Sequence, residues 1–147
     1  MPNTQECLID FLASLPWKAE PTEWEKLQAK RHAINEIALK LGVSPRTVYR
    51  WSIKKQRPIG IPLLKLRYLM EDYGYYASEF AGLTQQIRSL GAIIARSGVD
   101  YNVVARKLGF SQSANLFRVL HGQCGLSARR QRIVEDLISE FIAQAQA

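Results

Sequence analysis

The chain has 147 residues, 47% of them hydrophobic and 22% charged, an ordinary globular composition that excludes wholesale disorder. Lys and Arg number 20 against 13 Asp and Glu, a net charge of +7 that points to a polyanionic partner, nucleic acid or an acidic membrane surface. No apolar run approaches the ~18 residues of a membrane span, and the two cysteines are too few for a disulfide scaffold or a four-ligand zinc site.

Residues 4–15 read as a short amphipathic helix with Cys7, Leu8, Phe11, Leu12 and Leu15 on one face. Pro16 to Pro21 is a linker. Thr22, with Glu25 three residues on, has the capping-box pattern, and its helix carries Trp24 and Leu27 to about His32. Residues 34–41 then set Ile34, Ile37, Ala38 and Leu41 at helical spacing. Gly42 can take the positive φ that ends a helix, and Val43 can plug the corner. Ser44-Pro45 supplies an N-cap hydroxyl and a proline at the first helical position, opening a helix over 45–54 buried through Val48 and Trp51. Arg57 to Pro62 is a stiff loop. Residues 62–73 form a helix with Leu63, Leu66, Leu69 and Met70 inward. A helix over 78–97, striped by Leu83, Ile87, Leu90 and Ile94, would be a spacer between two halves. Asp100 caps 101–108. Residues 112–121 follow as a helix with Leu116, Val119 and Leu120 inside, and Ser127 caps a last helix to about Ala143. No segment alternates with period two, so the expected fold is all-α with no sheet.

Two features organise this string. The first is charge. No acid occurs between Glu36 and Glu71, a window holding Lys40, Arg46, Arg50, Lys54, Lys55, Arg57, Lys65 and Arg67. None occurs between Asp100 and Glu135, where Arg106, Lys107, Arg118, Arg129, Arg130 and Arg132 lie. Two acid-free basic windows suit a protein that faces phosphate in two places; the plainer alternative is cations kept for solubility. The second is an internal repeat. NEIALKLGVS at 35–44 matches NVVARKLGFS at 102–111 in six of ten positions, 67 residues apart. That period is too long for a solenoid array, so one supersecondary unit is used twice.

Each copy reads as helix, short turn, helix, with a small residue where two steeply crossed helices meet. ALKLGVSPRTVYRW resembles the core of helix-turn-helix DNA-binding domains, and ARKLGFSQSANLFRVL resembles a second such core. GFSQSANLFRVLHGQCGLSARRQR is similar to the C-terminal half of the AraC-type domain, including Gly125, Leu126 and Ser127 in its Gly-x-Ser segment. KKQRPIGIPLLKLRYLM looks instead like the tail of a Cro- or phage-repressor-type domain. The resemblance implies three regions: an N-terminal helix and linker (1–21), a first helix-turn-helix domain (22–76), and a spacer helix plus a second one (77–147).

Rotation at about 100° per residue puts Arg46, Tyr49, Arg50 and Ile53 opposite the buried Val48 and Trp51. Arg46, Tyr49 and Arg50 are the expected base readers of the first unit, Arg46 in the first turn where it can grip guanine in two places. Ser44, Thr47, Lys54, Lys55 and Arg57 are expected on phosphate, which Tyr49 can also reach. On the second unit Ser113, Ala114 and Arg118 are the expected base readers. Asn115 and His121 are expected on phosphate, and Phe117 is expected to pack inside. Arg129, Arg130 and Arg132 open a helix, where the dipole disfavours cations by ~0.3–1 kcal/mol each. Nearby phosphate would offset that; pairing with Glu135 or Asp136 is the alternative.

The expected function is a sequence-specific double-stranded DNA-binding transcriptional regulator of bacterial, phage or plasmid type. The alternative is a non-transcriptional DNA adaptor, such as a plasmid partition, replication or transfer-origin accessory protein. Control is expected from the protein's abundance or from a protein partner or RNA polymerase, since the roughly 21 residues before the first unit leave no room for a ligand-sensing domain. The acids are few and His32 and His121 match no metal motif, so no enzyme, metal or cofactor is expected. MPNTQECLID lacks a signal-peptide pattern, and a cytoplasmic, nucleoid-associated protein without a membrane role is expected. The apolar faces of the first and last helices, the latter with Ile133, Val134, Leu137, Ile138, Phe141 and Ile142, are where a homodimer is expected to form.

Overall fold

Short polar side chains start most of the helices. The computed structural model describes residues 2–146, and among these there are eight α-helices and no strand. They are α1 (Thr4–Ala13), α2 (Glu23–Leu41), α3 (Pro45–Ser52), α4 (Gly60–Asp72), α5 (Gln85–Arg96), α6 (Tyr101–Lys107), α7 (Ser113–Leu120) and α8 (Ala128–Gln146). Asn3 opens α1 through a reciprocal capping box with Glu6. Thr22, Ser44, Thr84 and Asp100 cap α2, α3, α5 and α6 with their side-chain oxygens. The Ser127 hydroxyl accepts from the Arg130 amide at the head of α8.

Three expectations need correcting. The helix expected to end near His32 and the one expected from Ile34 are a single helix, α2, because nothing between them breaks a helix. The segment 78–97 is interrupted instead: a 3-10 turn, Ser78–Gly82, precedes α5, and Thr84 restarts the chain by capping Ile87 at 3.3 Å. In α4, Leu63 and Leu69 are only half-buried, and the interior residues are Leu64, Leu66, Arg67, Tyr68 and Met70. The reason is that α4 is flanked by both α1 and α2, so its buried surface is broader than one stripe.

The chain divides into two compact units, Met1–Ser78 and Glu79–Ala147. In the first, α1 lies against α3 and α4, and α2 lies against α3 and α4. Leu8, Ile37, Val48, Trp51, Leu64 and Met70 form its interior. Arg67 is buried there too, its Nε donating to Thr4 Oγ1 at 3.4 Å. The Ser78 amide donates to the Pro2 carbonyl at 2.8 Å and ties the unit's two ends together. In the second unit α5 lies against α7 and α8, and α6 against α7. Its interior is Leu90, Ile94, Val104, Leu108, Leu116, Leu120 and Val134. The helix expected as a spacer is therefore packed into this unit.

The two units share one plan: the first helix covers the third and fourth, while the second and third make a corner. The repeat reaches into backbone detail. Gly42 and Gly109 both end a helix at positive φ, 72° and 81°. The amides of Val43 and Phe110 each reach back to an alanine carbonyl, Ala38 and Ala105, at 3.0 Å. Both alanines are buried, leaving room for the crossing helix. Past the turn the offset becomes 68, because the second turn holds one more residue. Gln112, not Ser111, precedes α7, and it makes no side-chain cap. At this offset Val48 matches Leu116, Trp51 matches Val119, and α4 and α8 begin together.

The apolar faces expected to make a dimer serve mainly as interior. Cys7, Leu8 and Leu12 of α1 are buried, as are Val134 and Leu137 of α8. Ile133, Ile138 and Phe141 are half-buried, and Ile142 is exposed.

Candidate nucleic-acid interface

The surface of α3 follows from its two buried residues. Val48 and Trp51, burial worth ~1.5–3 kcal/mol each, turn one side of this two-turn helix to the interior. Arg46, Tyr49, Arg50 and Ile53 are consequently exposed, as the sequence reading places them. Ser44 caps the helix, accepting from the Thr47 amide at 3.2 Å, and its hydroxyl lies 2.9 Å from that of Thr47. Both hydroxyls stand beside Arg46 at the helix start.

The chain then leaves α3 through a tight turn that lifts three more cations to the surface. Lys54 takes φ 60°, and among the described residues no other non-glycine has positive φ. The Lys55 amide donates to the Arg50 carbonyl at 3.0 Å and closes the turn. Gln5 of α1 holds the segment from below: its Nε2 donates to the carbonyls of Trp51 (2.9 Å) and Gln56 (3.0 Å). Nothing in the local sequence signals this role for Gln5, which lies 46 residues from Trp51. Lys54, Lys55 and Arg57 are all exposed. None of Arg46, Arg50, Lys54, Lys55 or Arg57 has a carboxylate partner among the described residues.

Other cations of the same window are committed elsewhere. Arg67 is interior. Lys40 reaches Tyr73 Oη at 3.1 Å and Glu36 at 3.3 Å, and both partners raise its pKa. The acid-free window thus overstates the free charge of the unit, but what remains free and exposed is gathered on α3 and the turn after it.

The second corner presents a sparser surface. On α7, Ala114 and Arg118 are exposed, while Ser113, Asn115 and His121 are half-buried. Phe117 packs inward on Tyr101, ring centroids 4.2 Å apart, and lies parallel to His121 at 6.0 Å. The Tyr101 phenol donates to the Ser113 carbonyl, and burial pushes its pKa up, so it stays a neutral donor. That contact ties the start of α7 to α6. Gly122 at φ 76° ends the corner, in the place Lys54 holds in the first unit.

The arginines opening α8 divide into two kinds. Arg129 and Arg132 are exposed, and neither pairs with Glu135 or Asp136 among the described residues. Arg130 turns inward: its Nε donates to the Leu108 carbonyl at 3.1 Å, and its guanidinium lies 4.4 Å from the Phe110 ring centroid. It fastens α8 to the corner. Phe110 therefore explains one of the three cations that sequence alone sent to phosphate.

Among the described residues no group of three or more His, Cys, Asp or Glu could hold a metal ion, and no helix is long and apolar enough to cross a membrane. Of the two cysteines, Cys7 is buried and Cys124, in the loop before α8, is exposed. No family model matches the chain, and no curated protein or solved structure is detectably similar to it.

Proposed function

We propose that the protein is a sequence-specific double-stranded DNA-binding transcriptional regulator of bacterial, phage or plasmid type, working through two helix-turn-helix units. One observation carries the reading. Arg46, Tyr49 and Arg50 stand exposed on α3, on the side away from Val48 and Trp51, with Lys54, Lys55 and Arg57 following in the turn and no carboxylate partner for any of these cations among the described residues. A protruding short helix of this kind fits the major groove, its first turn meeting base edges. In this reading Arg46 and Arg50 read bases, and Tyr49 joins them. Ser44, Thr47, Lys54, Lys55 and Arg57 grip the sugar-phosphate backbone. The repeated corner supports a second contact, with Ala114 and Arg118 toward bases and Asn115, Arg129 and Arg132 toward phosphate. Regulation then rests on the amount of the protein or on a partner such as RNA polymerase.

The test is selection of duplexes from a random pool, then fluorescence anisotropy on the winner across a salt series. The expected result is a defined motif whose affinity falls by about 10³-fold or more as salt rises from roughly 50 to roughly 200 mM. Enrichment of no motif, with weak and salt-insensitive binding, overturns the reading.

A further inference from the structure

The first half of α2 has no counterpart in the second unit, and in its own it is met by the linker through a Lys18–Glu25 ion pair at 2.8 Å. α2 is 19 residues long where α6 is 7, and Ile34 occupies the place of Tyr101. None of residues 23–32 is buried; the interior begins at Ala33. An isolated helix of that length is marginal in water, so ten helical residues with none buried usually have something to lie against. This one carries large apolar side chains in the open. Trp24 is 67% exposed and Leu27 43%. Lone exposed apolar residues are commonplace, but Trp24 and Leu27 stand three residues apart on one side of the helix and form a small patch.

The charges around the patch say what covers it. Glu23, Trp24, Leu27, Lys30 and Arg31 share one side of the helix at about 100° per residue. Two such helices laid antiparallel about Leu27 set Glu23 against Arg31 and Trp24 against Lys30, and two-fold symmetry repeats each match. A parallel pairing would oppose like with like. Lys30 and Arg31 have no carboxylate partner among the described residues, whereas Glu23 already holds Lys26 at 3.2 Å. The surface is therefore complementary to itself, the property an isologous dimer needs.

We infer that a second copy of this chain covers the Trp24–Leu27 face, with the N-terminal halves of α2 packed antiparallel about Leu27. A patch spanning about 15 Å of helix is smaller than a standard interface of ~800 Å² per partner, so the dimer is weak and depends on concentration.

The test is sedimentation equilibrium of the full chain without DNA, so it is independent of the proposed reading of DNA. The mass is expected to rise from 16.7 kDa toward twice that value with concentration. Trp24→Ala is expected to weaken association by about thirtyfold or more, with helicity by circular dichroism unchanged. Glu23→Arg and Arg31→Glu are each expected to weaken it roughly two- to tenfold, and mixing these two variants to restore it. A mass fixed at 16.7 kDa at every concentration overturns the inference. So does association that Trp24→Ala leaves intact, or a mixture no tighter than its parts.

Discussion

The two units are built on the same plan and present different surfaces. At matching places α3 shows Arg46, Thr47, Tyr49 and Arg50, and α7 shows Ala114, Asn115, Phe117 and Arg118. Of those four positions only Arg50 and Arg118 agree. The tyrosine that stands outward on α3 is replaced by a phenylalanine drawn in against Tyr101. Lys54 is replaced by Gly122 and Lys55 by Gln123. The buried positions kept their apolar character while the outward ones diverged. A shared interior fixes how the corner is held, and the exposed residues are free to specialise. In the proposed reading the first unit supplies most of the direct recognition, and the second adds a lighter contact through Arg118 and the head of α8.

Six substitutions break or sharpen this contrast. Trp51→Ala removes the largest side chain of the first interior and is expected to cost about 3–5 kcal/mol. Urea unfolding followed by circular dichroism should then split into two transitions, the earlier one belonging to the first unit. A single transition would mean the units do not unfold separately. Arg46→Ala is expected to lose ~1–3 kcal/mol on the selected duplex and to relax the preference at one base position. Competition anisotropy reads both effects, and Arg118→Ala should lose less. Gly122→Ala is expected to destabilise the second unit by about 1–2 kcal/mol in thermal unfolding. Its new Cβ would sit at positive φ and 3.1 Å from Leu83 Cδ2. Gln5→Ala removes a donor from the carbonyls of Trp51 and Gln56, the former still accepting from the Lys54 amide at 3.2 Å, and is expected to cost about 1 kcal/mol. In the proposed reading DNA affinity should fall with it, although Gln5 lies beneath the α3 surface and not on it. Lys54→Gly gives the first corner the ending of the second. It is expected to gain a few tenths of a kcal/mol of stability and to lower the salt slope of binding by about one. Opposite signs in the melting and binding experiments are the signature of a residue kept for its charge.

How much of this the sequence discloses depends on the range of the interaction. Faces of short helices are set by neighbours three and four residues apart, so Val48 and Trp51, and Leu116, Val119 and Leu120, are placed from the pattern alone. Caps are equally local, which is why Thr22, Ser44 and Asp100 could be read directly. The restart at Thr84 carried the same type of signal, hidden because the stripe from Leu83 to Ile94 spans it. The continuous α2 is a different failure. Its face changes at Ala33, from outward to inward, without any change in the backbone, so a shift in apolar pattern passes for a boundary. Long-range partners are beyond local pattern altogether. Arg67 sits in an acid-free basic window, yet it is buried beside Thr4, 63 residues earlier. Arg130 is drawn from the expected phosphate set by a ring and a carbonyl some 20 residues before it. The extra residue before α7 also matters: alignment at a constant spacing would assign each α7 residue to a neighbouring position, about 100° around the helix.

The contrast between the two cysteines gives experimenters a handle. Cys7 is sealed inside the first unit, while Cys124 stands open in the loop between α7 and α8. A maleimide dye should therefore modify the native, wild-type chain at a single position and report on the second unit alone. Its emission would then show whether an added duplex is felt at the second unit, whose part in recognition is the lighter one in the proposed reading.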